Sequence, residues 1–359
     1  MTDLASACPP GRVTFAPGRV NLIGEHTDYN EGLALPFAIS EGVTVRATPT
    51  GGDHVHVIAA DLDAHDTFEL ADPTRVAGWR AFARGAVAEL TATGAPLVAA
   101  RLEVSGTVPR GSGLSSSAAL EVALCLALLA IAEVPAPDRL ELARICSRVE
   151  NEWVGARTGL LDQIASLFGE PDSALRIDFR SLQVTPVALD LEGYRLVTLD
   201  SGERHANAGG SDESGDAVPG YNQRRAECAR ACELLGLQSL RDATLARTAE
   251  LPDPLNRRAR HVITENARVQ ETVAALSSAD LDRVGELLNA SHASLRDCFE
   301  ISTPAVERTV ARLRGAGAAG ARIMGGGFGG HVLGLFPAGA TPPEGSLEVR
   351  PGAGARIVR

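Results

Sequence analysis

The stretch GSGLSSSAAL, residues 111–120, runs straight into an apolar segment that ends near residue 132. This segment is too short to cross a bilayer and contains Glu121, so we expect a helix buried in a protein core. Glycines let a backbone approach a ligand closely, and the first N–H groups of a helix are unpaired donors at its positive end. The pattern therefore predicts a buried helix whose N-terminus binds an anion, the commonest such ligand being a nucleotide polyphosphate.

Three other interpretations of this loop are an ordinary helix cap, a P-loop and a dinucleotide-binding fingerprint. Serine is a favoured N-cap, so an ordinary capped helix stays open as an alternative. A P-loop is excluded because that motif contains a lysine, and the chain has none. A dinucleotide-binding fingerprint is excluded because Ser116 occupies the position of its third glycine.

The basic residues are all arginine, 34 in total. Chemistry that needs a lysine amine, such as a pyridoxal Schiff base or the strand lysine of protein kinases, is therefore excluded. Any catalytic cation must be an arginine, which stays protonated and cannot act as a base. The net charge of −11 argues against a nucleic-acid partner or an anionic membrane surface, because both require clustered cations.

Length and patterning predict two lobes. The chain has 359 residues, more than one typical domain, and 45% of them are apolar, which is ample for a large core. Strand and helix patterns mix without strict alternation, which predicts an α+β fold with lobes at residues 1–180 and 181–359. The six cysteines form no CxxC pair, and the first residues lack the build of a secretory signal. We therefore expect reduced thiols and a cytoplasmic protein.

The sequence RVNLIGEHTDYNEG, residues 19–32, concentrates polar side chains in a loop between apolar strands. These side chains include Arg19, Glu25, His26 and Asp28. A carboxylate accepts hydrogen bonds from two neighbouring hydroxyl groups, so such a loop suits a ligand rich in hydroxyls. A simple polar hairpin turn is the alternative.

Further along the chain, two acidic residues and a second glycine-rich stretch are candidates for a site. Asp162 lies in an apolar stretch, where a carboxylate is costly unless it is paired or used in chemistry; capping of a helix is the alternative. Glu150 lies at the edge of a helix stripe, where we expect an exposed side chain. GGGFGG, residues 325–330, precedes an apolar strand-like run, which predicts a glycine turn between strands or the wall of a phosphate site.

Taken together and in this order, these stretches resemble the GHMP small-molecule kinases, and within them the galactokinases. GRVNLIGEHTDYNEG is similar to the galactokinase signature, GSGLSSSAA to the second GHMP motif and GGGFGG to the third. GLLDQ, YNQRRAEC and HASLRD also match galactokinase stretches in the expected order. The resemblance implies a two-lobed α+β fold with the active site in the cleft between the lobes. It also implies ATP-dependent phosphorylation of the anomeric hydroxyl of galactose, with these two small molecules as partners.

The resemblance also assigns roles to individual residues. It implies catalysis by Asp162 and Arg19, sugar binding by Glu25, His26, Asp28 and Tyr221, ATP binding by Gly111, Ser112, Gly113, Leu114, Ser115, Ser116 and Ser117, and a magnesium site at Ser117 and Glu150. Mg²⁺ as cofactor suits this pair because it prefers few protein oxygens and completes its shell with phosphate and water. An arginine beside Asp162 would hold that carboxylate ionised, ready to accept the hydroxyl proton or to stabilise its departure.

The third motif departs from the family pattern at both of its flanks. Met324 stands where threonine is usual, and His331 stands where a small residue or cysteine is usual. The alternative enzyme is a GHMP kinase for N-acetylgalactosamine, galacturonate or arabinose. A non-catalytic sensor of sugar and ATP is a second alternative, although such relatives typically lose part of the serine loop or the catalytic aspartate. A dehydrogenase built on GGGFGG is the third.

Overall fold

Strands and helices follow one another irregularly along the chain. The structure is a computed structural model that describes residues 11–109, 113–156, 158–203 and 220–358. Within these ranges the α-helices are α1 (Arg80–Ala92), α2 (Ser116–Ile131), α3 (Arg139–Arg148), α4 (Leu161–Phe168), α5 (Tyr221–Leu235), α6 (Leu255–Ser277), α7 (Leu281–Asp297) and α8 (Pro304–Gly315). The strands of the same ranges are β1 (Arg12–Asn21), β2 (Leu33–Ala34), β3 (Pro36–Pro49), β4 (His54–Ala59), β5 (Ala64–Glu69), β6 (Ala100–Gly106), β7 (Ser173–Asp178), β8 (Gln183–Ala188), β9 (Tyr194–Asp200), β10 (Gly320–Ile323), β11 (His331–Pro337), β12 (Leu347–Val349) and β13 (Arg356–Ile357).

Three sheets organise the part of the chain that the structure describes. The largest has the strand order β13-β1-β3-β6-β4-β5, in which β4 and β6 run parallel and the other neighbours antiparallel. A four-stranded antiparallel sheet has the order β10-β11-β9-β12, and β2, β7 and β8 form a third sheet. Because mostly antiparallel sheets combine with helices that do not alternate regularly with them, the predicted α+β class is confirmed.

Helix α2 is the buried helix that the serine loop predicted. Twelve of its 16 residues are buried, and it packs against β1 and β3. The Thr14 hydroxyl of β1 donates a hydrogen bond of 2.8 Å to the Ala123 carbonyl, which ties the helix to the sheet. A helix that is apolar on all sides belongs in the middle of a core. In the described ranges, no helix combines the length and apolar character needed to cross a membrane.

Helix α7 lies directly on the strand that leads into the third glycine motif. A Cβ atom added to Gly285 of α7 would come within 2.8 Å of the carbonyl carbon of Ala319, and one added to Gly320 would meet the Gly285 carbonyl at 2.4 Å. Only glycine tolerates backbones this close. The two glycines therefore fix the position of β10 and of the turn that follows it.

Apolar side chains from both halves of the sequence share one core cluster. Val20 and Leu35 of the first half pack in the same cluster as Leu287 and Leu333 of the second. This shared core brings the loop after β1 close to β10 and α6. The division into lobes at residue 180 stays a prediction.

Candidate active site

A cavity of about 220 Å³ gathers residues from distant parts of the sequence. Of the predicted site residues that the structure describes, all except Leu114 line it: Arg19, Glu25, His26, Asp28, Gly113, Ser115, Ser116, Ser117, Glu150, Asp162 and Tyr221. Thr158, Gly159, Leu161, Gly325 and Gly326 complete the lining. The Leu114 side chain is buried in the core, and its carbonyl accepts a hydrogen bond from the Arg19 amide. Gly111 and Ser112 lie outside the described residues.

Asp162 and Arg19 form an ion pair at the centre of the cavity. Asp162 lies in the first turn of α4, whose N-cap is Leu160, so the interpretation of Asp162 as a helix cap is wrong. Arg19, near the end of β1, reaches the carboxylate Oδ1 with both Nε and Nη2, each at 2.8 Å. The Arg19 side chain is 7% exposed and the Asp162 side chain 22% exposed. Burial of the guanidinium therefore fixes the carboxylate at the edge of the open space.

Ser115 joins the serine loop to the same carboxylate. It has left-handed backbone angles (φ 57°) at the N-cap of α2, but its side chain makes no capping hydrogen bond. Its hydroxyl donates to Asp162 Oδ2 instead. The alternative of an ordinary serine cap is therefore wrong at Ser115. Among the described residues, the N-cap side chain of α2 makes no capping hydrogen bond, and the N–H groups of a first helical turn are donors at the positive end of the helix.

Glu150 is buried, and the expectation of an exposed helical side chain is wrong. Helix α3 passes into one π-helical stretch, Val149–Val154, which turns Glu150 inward until it is 5% exposed. Its Oε1 accepts a hydrogen bond of 2.9 Å from the Ser117 hydroxyl, and its Oε2 accepts one of 2.6 Å from Thr158. Burial, and next the charge on Asp162, raise the pKa of Glu150. Local π-helical turns of this kind are frequent at functional sites.

The loop after β1 carries the predicted sugar-binding residues. Glu25 is 3% exposed, and its carboxylate accepts hydrogen bonds from the Asn21 side chain (2.7 Å) and the Gly325 amide (2.8 Å). His26 has a left-handed backbone (φ 60°), and Asp28 begins a short 3₁₀ turn. The loop therefore presents two carboxylates and an imidazole to the cavity, and the Gly325 amide ties the first motif to the third.

Aromatic rings surround His26 on one side of the cavity. Its Nδ1 forms a hydrogen bond of 2.7 Å with the Tyr29 hydroxyl, and its ring centroid lies 5.1 Å from that of Tyr221 and 4.8 Å from that of Phe299. Burial lowers the pKa of His26 to about 3, so the imidazole is neutral at physiological pH. Burial also raises the pKa of Asp28 to about 6, with the charges of other cavity carboxylates adding to the effect. Tyr221, the first residue of α5, closes this side.

Arg322 is a residue of the site region that the sequence analysis missed. It lies on β10 and is fully buried, and its Nη1 donates to the carbonyls of Asn21 (3.0 Å) and Leu22 (2.8 Å). Its Nη2 lies 3.1 Å from Glu25 Oε1. The signal was an arginine inside the otherwise apolar run that leads into the third motif.

Helix α6 anchors the same loop from a second direction. Glu265 Oε1 accepts a hydrogen bond of 3.1 Å from the Gly24 amide, and His261 Nε2 donates one of 3.1 Å to the Glu25 carbonyl. His261 and Glu265 are both fully buried and lie one helical turn apart. The signal that the sequence offered was a histidine and a glutamate four residues apart in an amphipathic helical pattern.

The third motif is the predicted glycine turn between antiparallel strands β10 and β11. Gly325 and Gly327 have left-handed backbone angles (φ 68° and 81°), and a Cβ atom on Gly327 would meet the Ile301 side chain at 2.5 Å. Gly325 and Gly326 line the cavity. The glycine turn between strands is therefore confirmed, and a role as the wall of a phosphate site stays a prediction.

Three family signatures match the chain in order. The galactokinase galactose-binding signature matches residues 5–49, the N-terminal domain of GHMP kinases matches residues 81–170, and the GHMP kinase C-terminal region matches residues 272–347. The chain is therefore a GHMP kinase. The galactokinases of Mycobacterium tuberculosis strain H37Rv and Thermotoga neapolitana are 46% and 39% identical to it over 333 and 326 residues, which is 90% of this chain and 88% and 89% of theirs. The chain belongs to the galactokinase family.

Solved structures agree with this assignment. The crystal structure of Lactococcus lactis galactokinase complexed with galactose matches with a TM-score of 0.88 and 28% identity, over 99% of this chain and 97% of that one. A mevalonate kinase from Methanococcus jannaschii matches with a TM-score of 0.66 and 17% identity, over 97% of this chain and 100% of that one. The second similarity concerns the fold alone. The predicted GHMP kinase fold is confirmed.

Proposed function

We propose that this member of the galactokinase family transfers the terminal phosphoryl group of ATP to the anomeric hydroxyl of galactose. The observation that carries the proposal is one cavity in which the Asp162–Arg19 pair lies between the loop after β1 and the N-terminus of α2. The galactose in the Lactococcus lactis structure supports the choice of sugar. Phosphoryl transfer depends mainly on positioning and charge stabilisation, and this arrangement supplies both.

Asp162 acts on the sugar hydroxyl in this proposal. Arg19 holds Oδ1 from two nitrogens and Ser115 holds Oδ2, and together they fix the orientation of the carboxylate. As the sugar oxygen forms its bond to the terminal phosphorus, its hydrogen passes to, or is held by, the Asp162 carboxylate, and the bond from that phosphorus to the bridging oxygen of ADP breaks. The Ser115 hydroxyl donates a hydrogen bond to Asp162 Oδ2 in the structure. When ATP binds, this hydroxyl could donate to a phosphate oxygen instead.

The pair Ser117 and Glu150 fits a magnesium ion bound with ATP. One hydroxyl and one carboxylate oxygen lie 2.9 Å apart, and Mg²⁺ prefers few protein oxygens, with phosphate and water completing its shell. In the described ranges, no group of three or more histidine, cysteine, aspartate or glutamate side chains is arranged to hold a metal ion. When bound, the ion would neutralise charge on the phosphate oxygens.

A second cavity of about 420 Å³ fits the base and ribose of the nucleotide. It shares Ser116 and Ser117 with the first cavity, and most of its lining is apolar, including Trp79, Phe82 and Leu124. A flat, weakly polar base is well matched to such a lining. The α-phosphate would then lie near the N-terminus of α2, between the two cavities.

A sugar panel with ATP and Mg²⁺ tests the proposal directly. We expect galactose to give the highest kcat/KM, and Asp162→Asn to lower kcat by about 10²–10⁴-fold, the usual contribution of a positioned acid or base. Asp72→Asn, at an exposed position, is the matched control and should retain wild-type rates. A higher kcat/KM for galacturonate, N-acetylgalactosamine or arabinose would identify that sugar, and not galactose, as the substrate. Tight binding of galactose and ATP without turnover would instead favour the sensor.

We also propose that the lobes at residues 1–180 and 181–359 meet at this cavity. The second half of the chain contributes Tyr221, Gly325 and Gly326 to its lining, and the other lining residues come from the first half.

We further propose that the enzyme is cytoplasmic. Cell fractionation with an antibody against the chain tests this location.

A further inference from the structure

The amide of Gln163 connects two buried carboxyl groups behind the proposed magnesium pair. Gln163 follows Asp162 in α4 and is fully buried. Its Nε2 donates a hydrogen bond of 3.0 Å to Glu150 Oε2 and one of 3.2 Å to Glu121 Oε2. One side chain therefore joins the residue beside the catalytic aspartate to the carboxylate that faces Ser117.

Glu121 is an acidic residue inside the most apolar helix of the chain. It lies on α2 one turn after Ser117, is fully buried, and has only apolar neighbours along the next two turns of the helix. Burial, and next the charge on Glu150, raise the pKa of Glu121 well above its ordinary value, which favours the protonated form of this carboxyl group.

The Glu121 carboxyl group accepts a hydrogen bond from the Gln163 amide and so holds that amide in a defined orientation. Within the described residues, Oε1 of Glu121 and Oε1 of Gln163 are both buried without a hydrogen-bond partner. Because the amide N–H₂ group of Gln163 donates to both Glu121 and Glu150, the plane of the amide is fixed between these two carboxyl groups. An apolar side chain would fill this position in a core helix more favourably, so the buried acid points to a role beyond packing.

We propose that Gln163 and Glu121 are positioning residues that orient the Glu150 carboxylate toward Ser117 for the metal ion that accompanies ATP. This inference rests on the proposed function. Oε2 of Glu150 is already held by Gln163 and Thr158, so Oε1 remains the oxygen presented beside the Ser117 hydroxyl. Removing a partner that orients a metal ligand typically lowers metal affinity by about 10–100-fold.

A Mn²⁺-binding assay tests this proposal without turnover. The electron paramagnetic resonance signal of Mn²⁺ reports its binding in the presence of a non-hydrolysable ATP analogue. We expect Gln163→Met to weaken Mn²⁺ binding by about 10–100-fold, while the Kd for galactose, from calorimetry without nucleotide, stays within twofold of wild type. Glu121→Leu should weaken Mn²⁺ binding in the same direction, and Glu121→Gln should restore most of it. Gln270→Met, at an exposed position of α6, is the matched control.

Unchanged Mn²⁺ affinity in folded Gln163→Met, with only a lower Tm, would show that the amide serves packing and overturn the proposal. Should Gln163→Met fail to fold, the Glu121→Leu and Glu121→Gln pair decides: equal Mn²⁺ affinities overturn the proposal, and a difference of tenfold or more supports it. Wild-type protein that binds neither Mn²⁺ nor the nucleotide analogue would contradict the proposed function itself.

Discussion

If Asp28 binds galactose as we propose, binding should weaken as pH falls through about 6, because an ionised carboxylate accepts hydrogen bonds from sugar hydroxyls more strongly than a protonated one. Burial, together with the charges on Asp162 and Glu25, raises the pKa of Asp28 to about 6, although the Tyr29 amide and Arg225 act in the opposite direction. The carboxylate is therefore about nine-tenths ionised at pH 7 and about one-tenth ionised at pH 5. We expect kcat/KM for galactose to fall about tenfold below its plateau at pH 5.

Calorimetric titration with galactose from pH 4.5 to 8, without nucleotide, isolates this effect, since phosphate groups also titrate near pH 6. The imidazole of His26 does not interfere, because its pKa is about 3. Asp28→Asn should bind more weakly and show no such step, while Asp72→Asn should keep the wild-type profile. A wild-type Kd that is constant from pH 8 to 5, or the same fall in Asp28→Asn, would refute the reasoning.

Three further predictions concern the groups that hold the site in place. Gly159→Ala puts a Cβ atom 2.0 Å from Asp28 Oδ2, so we expect the KM for galactose to rise about tenfold or more while the KM for ATP stays unchanged. An unchanged KM for galactose would contradict this. Gly51→Ala is the control, because a Cβ atom there has no neighbouring atom within 4 Å. Arg322→Met leaves the buried Glu25 carboxylate without its cation, and urea denaturation should show that the free energy of unfolding falls by about 3–5 kcal/mol. A fall below about 1 kcal/mol would mean that the ion pair does not stabilise the fold. Gly285→Ala should lower the free energy of unfolding by about 1–3 kcal/mol through its 2.8 Å clash with Ala319, measured by urea denaturation. Wild-type stability would show that α7 can shift to accommodate the methyl group.

Much of the local structure could be predicted from the sequence because its signals act over a few residues. The apolar run after the serine loop predicts α2, and Asp138, which caps α3 through the amides of Leu140 and Glu141, marks the start of that helix. The glycines of residues 325–330 predict a turn, since the unusual backbone angles there suit glycine. The family motifs also supplied the residues that line the cavity. These features depend on residue type and spacing alone.

Which side chains meet was decided only by the tertiary structure. Arg19 and Asp162 are 143 residues apart, and nothing local to either one specifies the other as its partner. The inward turn of Glu150 depends on a π-helical stretch that ordinary helical periodicity does not predict. Arg322, Glu265 and His261 reach the loop after β1 only because β10 and α6 pack against it. Sequence pattern fixes which face of an element is apolar, whereas charge pairing in a core depends on how separate elements pack together, and that arrangement is set by the fold as a whole.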